Sequence, residues 1–162
     1  MKQETEAKLR DRIRFLIIFF IVGLVLSGLT AFPIETLLAI THQNISFLPE
    51  SLQSWISNVY FAVKATNARY PFLSYGTDWL AFAHIVIAVA FIGPLKDPVR
   101  NIWVIQFGMI ACVLVLPLAL IAGAVREIPF YWRLIDCSFG VIGIIPLYYC
   151  YRSIVQLEGI RA

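Results

Sequence analysis

Two ionisable residues, His84 and Asp136, stand inside long apolar stretches of this 162-residue chain. A polar side chain is expensive to place in such a stretch, which makes both residues candidates for function. An imidazole can act as a general base or bind a metal, and a carboxylate can act as a general acid or base. Almost all other Lys, Arg, Asp and Glu residues lie between, outside or at the ends of the stretches.

Further polar and aromatic residues fall near one end of the same stretches. Asp78 begins the second stretch, and Arg133 precedes Asp136 by three residues, a spacing that favours an ion pair on a helix. Such a cluster is typical both of an ordinary charge network at helix ends and of a ligand pocket, and the sequence leaves the two interpretations open. The candidate ligand-binding residues are His84, Asp136, Arg133, Arg126, Glu127, Trp79 and Trp132, and the candidate catalytic residues are His84, Asp136 and Asp78.

No residue pattern identifies a cofactor. The three cysteines lie inside apolar stretches, and the chain has no Cys-x-x-Cys or Cys/His spacing, so we expect inert thiols and no metal site. Haem remains open but is not favoured, because the only other histidine, His42, falls in a loop instead of a second apolar stretch.

The elements that must position these residues are four apolar stretches, each long enough to cross a hydrocarbon core of about 30 Å as a helix. With 60% hydrophobic residues, 14% charged residues and a mean hydropathy of +0.80, the composition excludes an ordinary soluble domain. The formal charge of +3 indicates no nucleic-acid partner. We predict one all-α integral membrane domain, an antiparallel four-helix bundle over 1–162, with spans at 14–31, 78–95, 102–123 and 134–151.

The distribution of basic residues predicts the orientation. Nine Lys and Arg residues fall in the two termini and the second connection, and the remaining four of the 13 fall in the first and third connections. The positive-inside rule therefore places both termini in the cytoplasm, and a bacterial inner membrane is the expected location.

The first connection, 32–77, is the only long one, and a loop of this length is usually functional or partly structured. Apolar residues recur within it at the spacing of a helix, which predicts an amphipathic helix over 51–65 on the extracytoplasmic side. Those apolar positions are Leu52, Trp55, Ile56, Val59, Tyr60 and Val63.

Small residues predict the faces through which the spans pack, because helices in lipid associate where their backbones can approach closely. The faces are Gly23, Ser27 and Ala31 in the first span, Ala81, His84 and Ala88 in the second, Gly108, Cys112 and Ala119 in the third, and Asp136, Gly140 and Gly143 in the fourth.

Three kinds of function fit this pattern. The first is a lipophilic-ligand- or lipid-binding bundle, or an accessory subunit of a membrane complex, whose partners would be membrane lipids, partner helices or a second copy of the chain. The second is a membrane enzyme on a lipophilic substrate, with His84 and either Asp136 or Asp78 as acid and base. A small transporter is the third, and the absence of a charge at the midpoint of any span disfavours it.

Overall fold

The computed structural model describes residues 2–161, in which helices joined by short turns are the regular structure and no strand occurs. The side chains of Lys2 and Arg161, two of the nine basic residues counted above, lie outside the described part. A 3₁₀ turn, Pro71–Ser74, precedes the fourth helix, and a π-helical turn, Leu118–Ala122, follows the sixth. The helices are α1 (Lys2–Ala31), α2 (Ile34–Gln43), α3 (Glu50–Arg69), α4 (Tyr75–Ala90), α5 (Ile92–Lys96), α6 (Ile102–Pro117), α7 (Gly123–Val125) and α8 (Phe130–Arg161).

Four helical segments are long and apolar enough to cross a membrane, and each contains one of the four predicted stretches. The expectation of four candidate spans in an all-α chain is therefore confirmed. The segments are Gln3–Ala31, Pro71–Lys96, Ile102–Val125 and Phe130–Ile160.

The helices extend beyond the predicted apolar stretches, and α1 begins with a charged segment that precedes its apolar part. Glu4 accepts from Lys8 at 2.7 Å and Glu6 pairs with Arg10 at 2.9 Å, both at i,i+4 spacing with the acidic residue first. That order is the favourable one for an ion pair on a helix. Hydropathy detects only the apolar part of a helix, so it placed the start of the first span at residue 14 although α1 begins at Lys2.

The long first connection is largely helical. The helix predicted over 51–65 is present as α3, which runs from Glu50 to Arg69 with Ile56 buried. Helix α2 precedes it and was not predicted. The turn between them is closed by Gln53, whose side-chain amide donates to the carbonyl of Leu48 at 2.6 Å.

The chain forms two compact units: one holds the described residues through Val22 together with those from Ala88 onward, and the other is Gly23–Ile87. In the first unit, Phe20 packs its ring at 4.8 Å from that of Phe91. The apolar face of α8 repeats at i, i+7 and i+10, which aligns its core residues on one side of the helix. The fully buried apolar side chains of this unit are Ile13, Ile17, Phe91, Pro94, Ile105, Leu147, Cys150, Ile154 and Leu157.

Helices α6 and α8 approach each other at glycines. A Cβ built on Gly108 would lie 2.9 Å from Phe91 and 3.0 Å from Leu147, and one on Gly140 would overlap the backbone carbonyl of Cys112. The small-residue faces predicted for the third and fourth spans therefore do meet other helices at these positions.

The connection between α5 and α6 is held by two side chains. Asn101 donates to the carbonyls of Asp97 at 2.8 Å and Gly93 at 3.2 Å, and the Asp97 carboxylate accepts from the backbone N–H of Arg100 at 3.1 Å. The N–H of Arg100 thereby gains an acceptor, and the carbonyls of Gly93 and Asp97, which already accept from the backbone N–H groups of Asp97 and Asn101, each gain a second donor.

In the second unit, α1 meets α4 at Gly28 and not at the face predicted for the first span. A Cβ on Gly28 would lie 2.8 Å from the carbonyl oxygen of Ala81, whereas one on Gly23 would meet no atom within 4 Å. Ser27 is exposed. The prediction that Gly23 and Ser27 face the neighbouring helix is wrong, because two glycine-containing faces compete on α1 and sequence spacing does not rank them.

Candidate functional sites in the two units

The candidate residues divide between the units. Asp78, Trp79 and His84 belong to the second unit. The first unit contains Arg126, Glu127, Trp132, Arg133 and Asp136.

Glu127 ends α7 in a left-handed backbone conformation, with φ of 58°. Its N–H bonds to the carbonyl of Ala124 at 3.1 Å, and the N–H of Ile128 bonds to that of Gly123 at 2.9 Å. This pair of bonds is the Schellman arrangement that terminates helices, in which glycine usually occupies the left-handed position. Arg126 and Glu127 are both exposed. Their segment forms the turn that ends α7 and reverses the chain before α8.

Arg133 lies in the first turn of α8 and contacts the π-helical turn after α6 and the start of α7. Its stem passes over Gly123, where a Cβ would lie 2.6 Å from its Cδ. Its Nη1 donates to the carbonyl of Leu120 at 3.3 Å, and its guanidinium carbon lies 5.2 Å from the ring centre of Phe130. Nε is buried without a hydrogen-bond partner.

Asp136 is half-buried one turn further along α8. The spacing to Arg133 favoured an ion pair, but no salt bridge joins them among the side chains that the structure describes, because the Arg133 guanidinium is directed toward Leu120 and Phe130. Asp136 shares the i,i+4 face of Gly140, which packs on Cys112. Arg133, the predicted partner of Asp136, therefore does not form an ion pair with it.

His84 is half-buried on α4, beside the close contact with α1. Its Cβ lies 3.3 Å from the position of a Cβ on Gly28, and its Nδ1 is 2.8 Å from the carbonyl oxygen of Leu80. Since a carbonyl can only accept, Nδ1 carries the proton in this bond. In the neutral ring Nε2 then holds the lone pair that a base or ligand would use.

Asp78 and His84 do not converge. They are six residues apart on one helix, which separates them by about 9 Å along its axis and about 120° around it. Direct proton transfer between two groups needs hydrogen-bond reach. The acid/base pair of His84 with Asp78 is therefore not supported by their placement on α4.

A cleft of about 300 Å³ does bring together two of the predicted residues, Asp78 and Trp79. Trp79 makes edge-on ring contacts with Tyr75 at 6.0 Å and with Phe82 at 5.9 Å. Phe32 completes the lining. Among the described side chains, no cation is ion-paired with the Asp78 carboxylate. We call this the aromatic cleft: one carboxylate among four aromatic rings.

Two polar contacts of the second unit were missed by sequence reasoning. His42 Nδ1 lies 3.1 Å from the hydroxyl of Ser57, with its ring stacked on Tyr60 at 5.1 Å. Asn67 donates to Glu35 at 2.6 Å. These residues are 15 and 32 positions apart, so no local periodicity pairs them, and both contacts link α2 to α3.

No group of three or more His, Cys, Asp or Glu side chains able to hold a metal ion occurs in the described part of the chain. The chain matches no known protein family, no curated protein and no solved structure.

Proposed function

We propose that this chain is an integral membrane protein that binds a lipophilic molecule carrying a cationic group. Its four long apolar helices would span the bilayer as an antiparallel bundle, with both termini in the cytoplasm of a bacterial cell. Apolar side chains exposed along the helices support insertion: Phe15 and Phe139 are each 68% exposed, an arrangement suited to lipid and not to water.

Pairs of contacts along α6 and α8 support the antiparallel arrangement. Gly108, early in α6, is close to Leu147 late in α8, while Gly123, after α6, is close to Arg133 at the start of α8. The excess of basic residues at the termini and in the second connection supports their cytoplasmic location. With that orientation, α2 and α3 lie on the extracytoplasmic side, and α3 is the proposed amphipathic helix at that surface.

One observation carries the ligand proposal: the Asp78 carboxylate shares the aromatic cleft with four rings and has no ion-paired cation among the described side chains. Aromatic faces attract cations through their quadrupoles, and a carboxylate adds a full opposite charge. A membrane-facing cleft of this composition suits an alkylammonium group, with the alkyl chain lying along the apolar helix surface. Membrane lipids are the partners that the protein would meet first.

The test uses the fluorescence of Trp79, isolated by Trp55→Phe, Trp103→Phe and Trp132→Phe. The detergent-purified protein is titrated with a terminally brominated alkylamine and with the brominated alcohol of the same chain length, because bromine quenches tryptophan only at short range. We expect saturable quenching by the amine at a concentration at least tenfold lower than by the alcohol.

Asp78→Asn should remove the difference between amine and alcohol, since it removes the charge and keeps the shape. Asp136→Asn is the matched control, because it neutralises another half-buried carboxylate outside the cleft. Equal quenching by both probes in the parent protein, or loss of the difference in Asp136→Asn, would contradict the proposal.

A second candidate is that α1 docks a partner helix, either of an accessory complex or of a second copy. Gly23 faces open space and Ser27, four residues on, is exposed, so the predicted small-residue face is unoccupied in the chain by itself. Oxidative crosslinking in membranes tests this candidate: Ser27→Cys should give a disulfide dimer if two copies meet there. Leu29→Cys, on the opposite side of α1, is the control and should remain monomeric.

A further inference from the structure

A second cleft, of about 340 Å³, lies in the first unit between α1 and α8. It contains none of the candidate residues considered above. Its lining is Arg12, Tyr148, Tyr149, Arg152, Ser153 and Gln156, and we call it the basic cleft.

Both cations of the basic cleft are oriented by tyrosines. The guanidinium carbon of Arg12 lies 5.7 Å from the ring centre of Tyr149, and Nη1 of Arg152 is 3.5 Å from the hydroxyl of Tyr148. Neither arginine is ion-paired with a carboxylate among the described side chains, and no carboxylate lines the cleft. Two guanidiniums without a counter-charge form a site for an anion, and their planar donor sets match phosphate oxygens.

The hydroxyl of Ser153 does not donate to a ligand, because it donates to the carbonyl of Tyr149 on its own helix at 2.8 Å. The side-chain amide of Gln156 is exposed and supplies the remaining neutral donor of the lining. The cleft therefore offers donors to its ligand and no anionic acceptor, which favours an anion over a zwitterion with an ammonium group.

Each helix continues from its arginine into a face that suits an acyl chain. On α1, Phe15 and Phe19 follow Arg12 at i+3 and i+7, and both are exposed. On α8, Ile145 precedes Arg152 by seven residues and is exposed on the same face. The order of cation, aromatic ring and apolar side chain along both helices follows the order of phosphate, glycerol region and acyl chain in a phospholipid.

We propose that the basic cleft binds the phosphate of an anionic phospholipid, with Arg12 and Arg152 as its ligands. This proposal rests on the insertion of the four helices in a membrane but not on the aromatic cleft or its ammonium ligand. It places the lipid in the leaflet on the side of the two termini, where anionic lipids attract Lys and Arg at a membrane surface.

Native mass spectrometry of the full chain in detergent, titrated with phosphatidylglycerol and with phosphatidylcholine, measures the preference directly. We expect phosphatidylglycerol to bind at least tenfold more tightly, and the double variant Arg12→Gln/Arg152→Gln to lose about tenfold or more of that affinity. The control variant Arg14→Gln/Arg100→Gln removes the same net charge on the same side but leaves the cleft intact, and it should retain the preference.

Further experiments distinguish a lipid phosphate from a soluble phosphate and control for misfolding of the variants. Glycerol 3-phosphate at millimolar concentration should displace little phosphatidylglycerol; complete displacement would assign the site to a soluble phosphate. Arg152→Lys keeps the charge and should retain the preference in part. Equal binding of the two lipids by the parent protein, or equal losses in the two double variants, would overturn the proposal. Asp78→Asn should leave lipid binding unchanged, so failure here is distinguishable from failure at the aromatic cleft.

Discussion

The guanidinium of Arg133 donates to the backbone carbonyl of Leu120 at 3.3 Å, and Leu120 belongs to the π-helical turn that follows Pro117. A π-helical turn shifts the carbonyl directions of a helix, and such turns frequently occur at functional positions. The contact joins the start of α8 to the π-helical turn after α6, and the glycine at position 123 leaves room for the arginine stem. Arg133 is therefore a structural link between two helices rather than the partner of Asp136.

Arg133→Met should destabilise the protein by about 1–2 kcal/mol. It keeps the stem over Gly123 but removes a charge-assisted hydrogen bond worth about 1.5–3 kcal/mol and a cation–π contact with Phe130 worth roughly 0.5–1 kcal/mol. The buried Nε without a hydrogen-bond partner offsets part of that loss. The measurement is thermal unfolding in a mild detergent. Arg126→Met, at an exposed arginine, should change stability by less than about 0.5 kcal/mol, and an equal loss in both variants would contradict the role assigned to Arg133.

Gly28→Ala and Gly23→Ala should change stability in opposite directions. At Gly28 the added Cβ would lie 2.8 Å from the carbonyl oxygen of Ala81, and backbone cannot move aside cheaply, so α1 and α4 must separate with a loss of about 1–3 kcal/mol. At Gly23 the Cβ enters open space, and alanine gains up to about 1 kcal/mol of helix propensity. Unfolding in detergent followed by circular dichroism reports both. Destabilisation at Gly23 with tolerance at Gly28 would mean that the other face of α1 carries the packing.

Asn101→Ala should destabilise the α5–α6 connection by about 1–3 kcal/mol. Asn101 donates to the carbonyls of Gly93 and Asp97, and alanine removes both bonds, each worth about 0.5–1.5 kcal/mol, although both carbonyls keep a backbone N–H donor. Asn58→Ala on the exposed side of α3 removes the same side chain without a comparable loss and serves as the control. Hydrogen exchange should show increased exchange confined to the amides of residues 93–101 in the first variant. Unchanged exchange there would exclude the proposed role of Asn101.

Glu127→Gly should stabilise the protein by about 1 kcal/mol, whereas Glu127→Ala should not. The left-handed backbone at Glu127 costs a non-glycine residue roughly 1–2 kcal/mol, and glycine avoids that cost at this helix end. Part of the gain is lost because glycine has greater freedom in the unfolded chain. The alanine variant removes the same carboxylate but retains the unfavourable conformation. Equal melting temperatures for the two variants would attribute the effect to charge instead of backbone conformation.

The sequence predicted the helices wherever one local signal dominated. Length and apolarity identified the four candidate spans, and helical spacing of apolar residues identified α3. The first turns of α1 were not predicted because they are polar, although the sequence contains the Glu4–Lys8 and Glu6–Arg10 spacings that favour a helix. Helix α2 was missed because its ten residues are too short for a span and its periodicity was not separated from the surrounding loop.

His84 and Asp136 were selected by the cost of burying them and the other candidates by their position near the ends of the apolar stretches, but the contacts of these residues could not be read from spacing. Arg133 was expected to pair with Asp136 and instead contacts Leu120. An arginine side chain is long enough to reach several partners, so spacing along the helix does not determine which one it contacts. Asp78 and Trp79 were both selected, yet the cleft that they share also needs Phe32 from beyond the end of α1. No local pattern connects residues so far apart in the chain.

By itself the sequence determined that the chain is helical with four segments apolar enough for a membrane, because the length and apolarity of a segment are properties of consecutive residues. It also determined which polar residues are exceptional. Only the tertiary structure decided that Gly28 and not Gly23 meets α4, and that Arg12 and Arg152 line one cleft. These outcomes depend on which face of each helix meets its neighbour, and that choice minimises the packing energy of several helices together instead of the energy of any one of them.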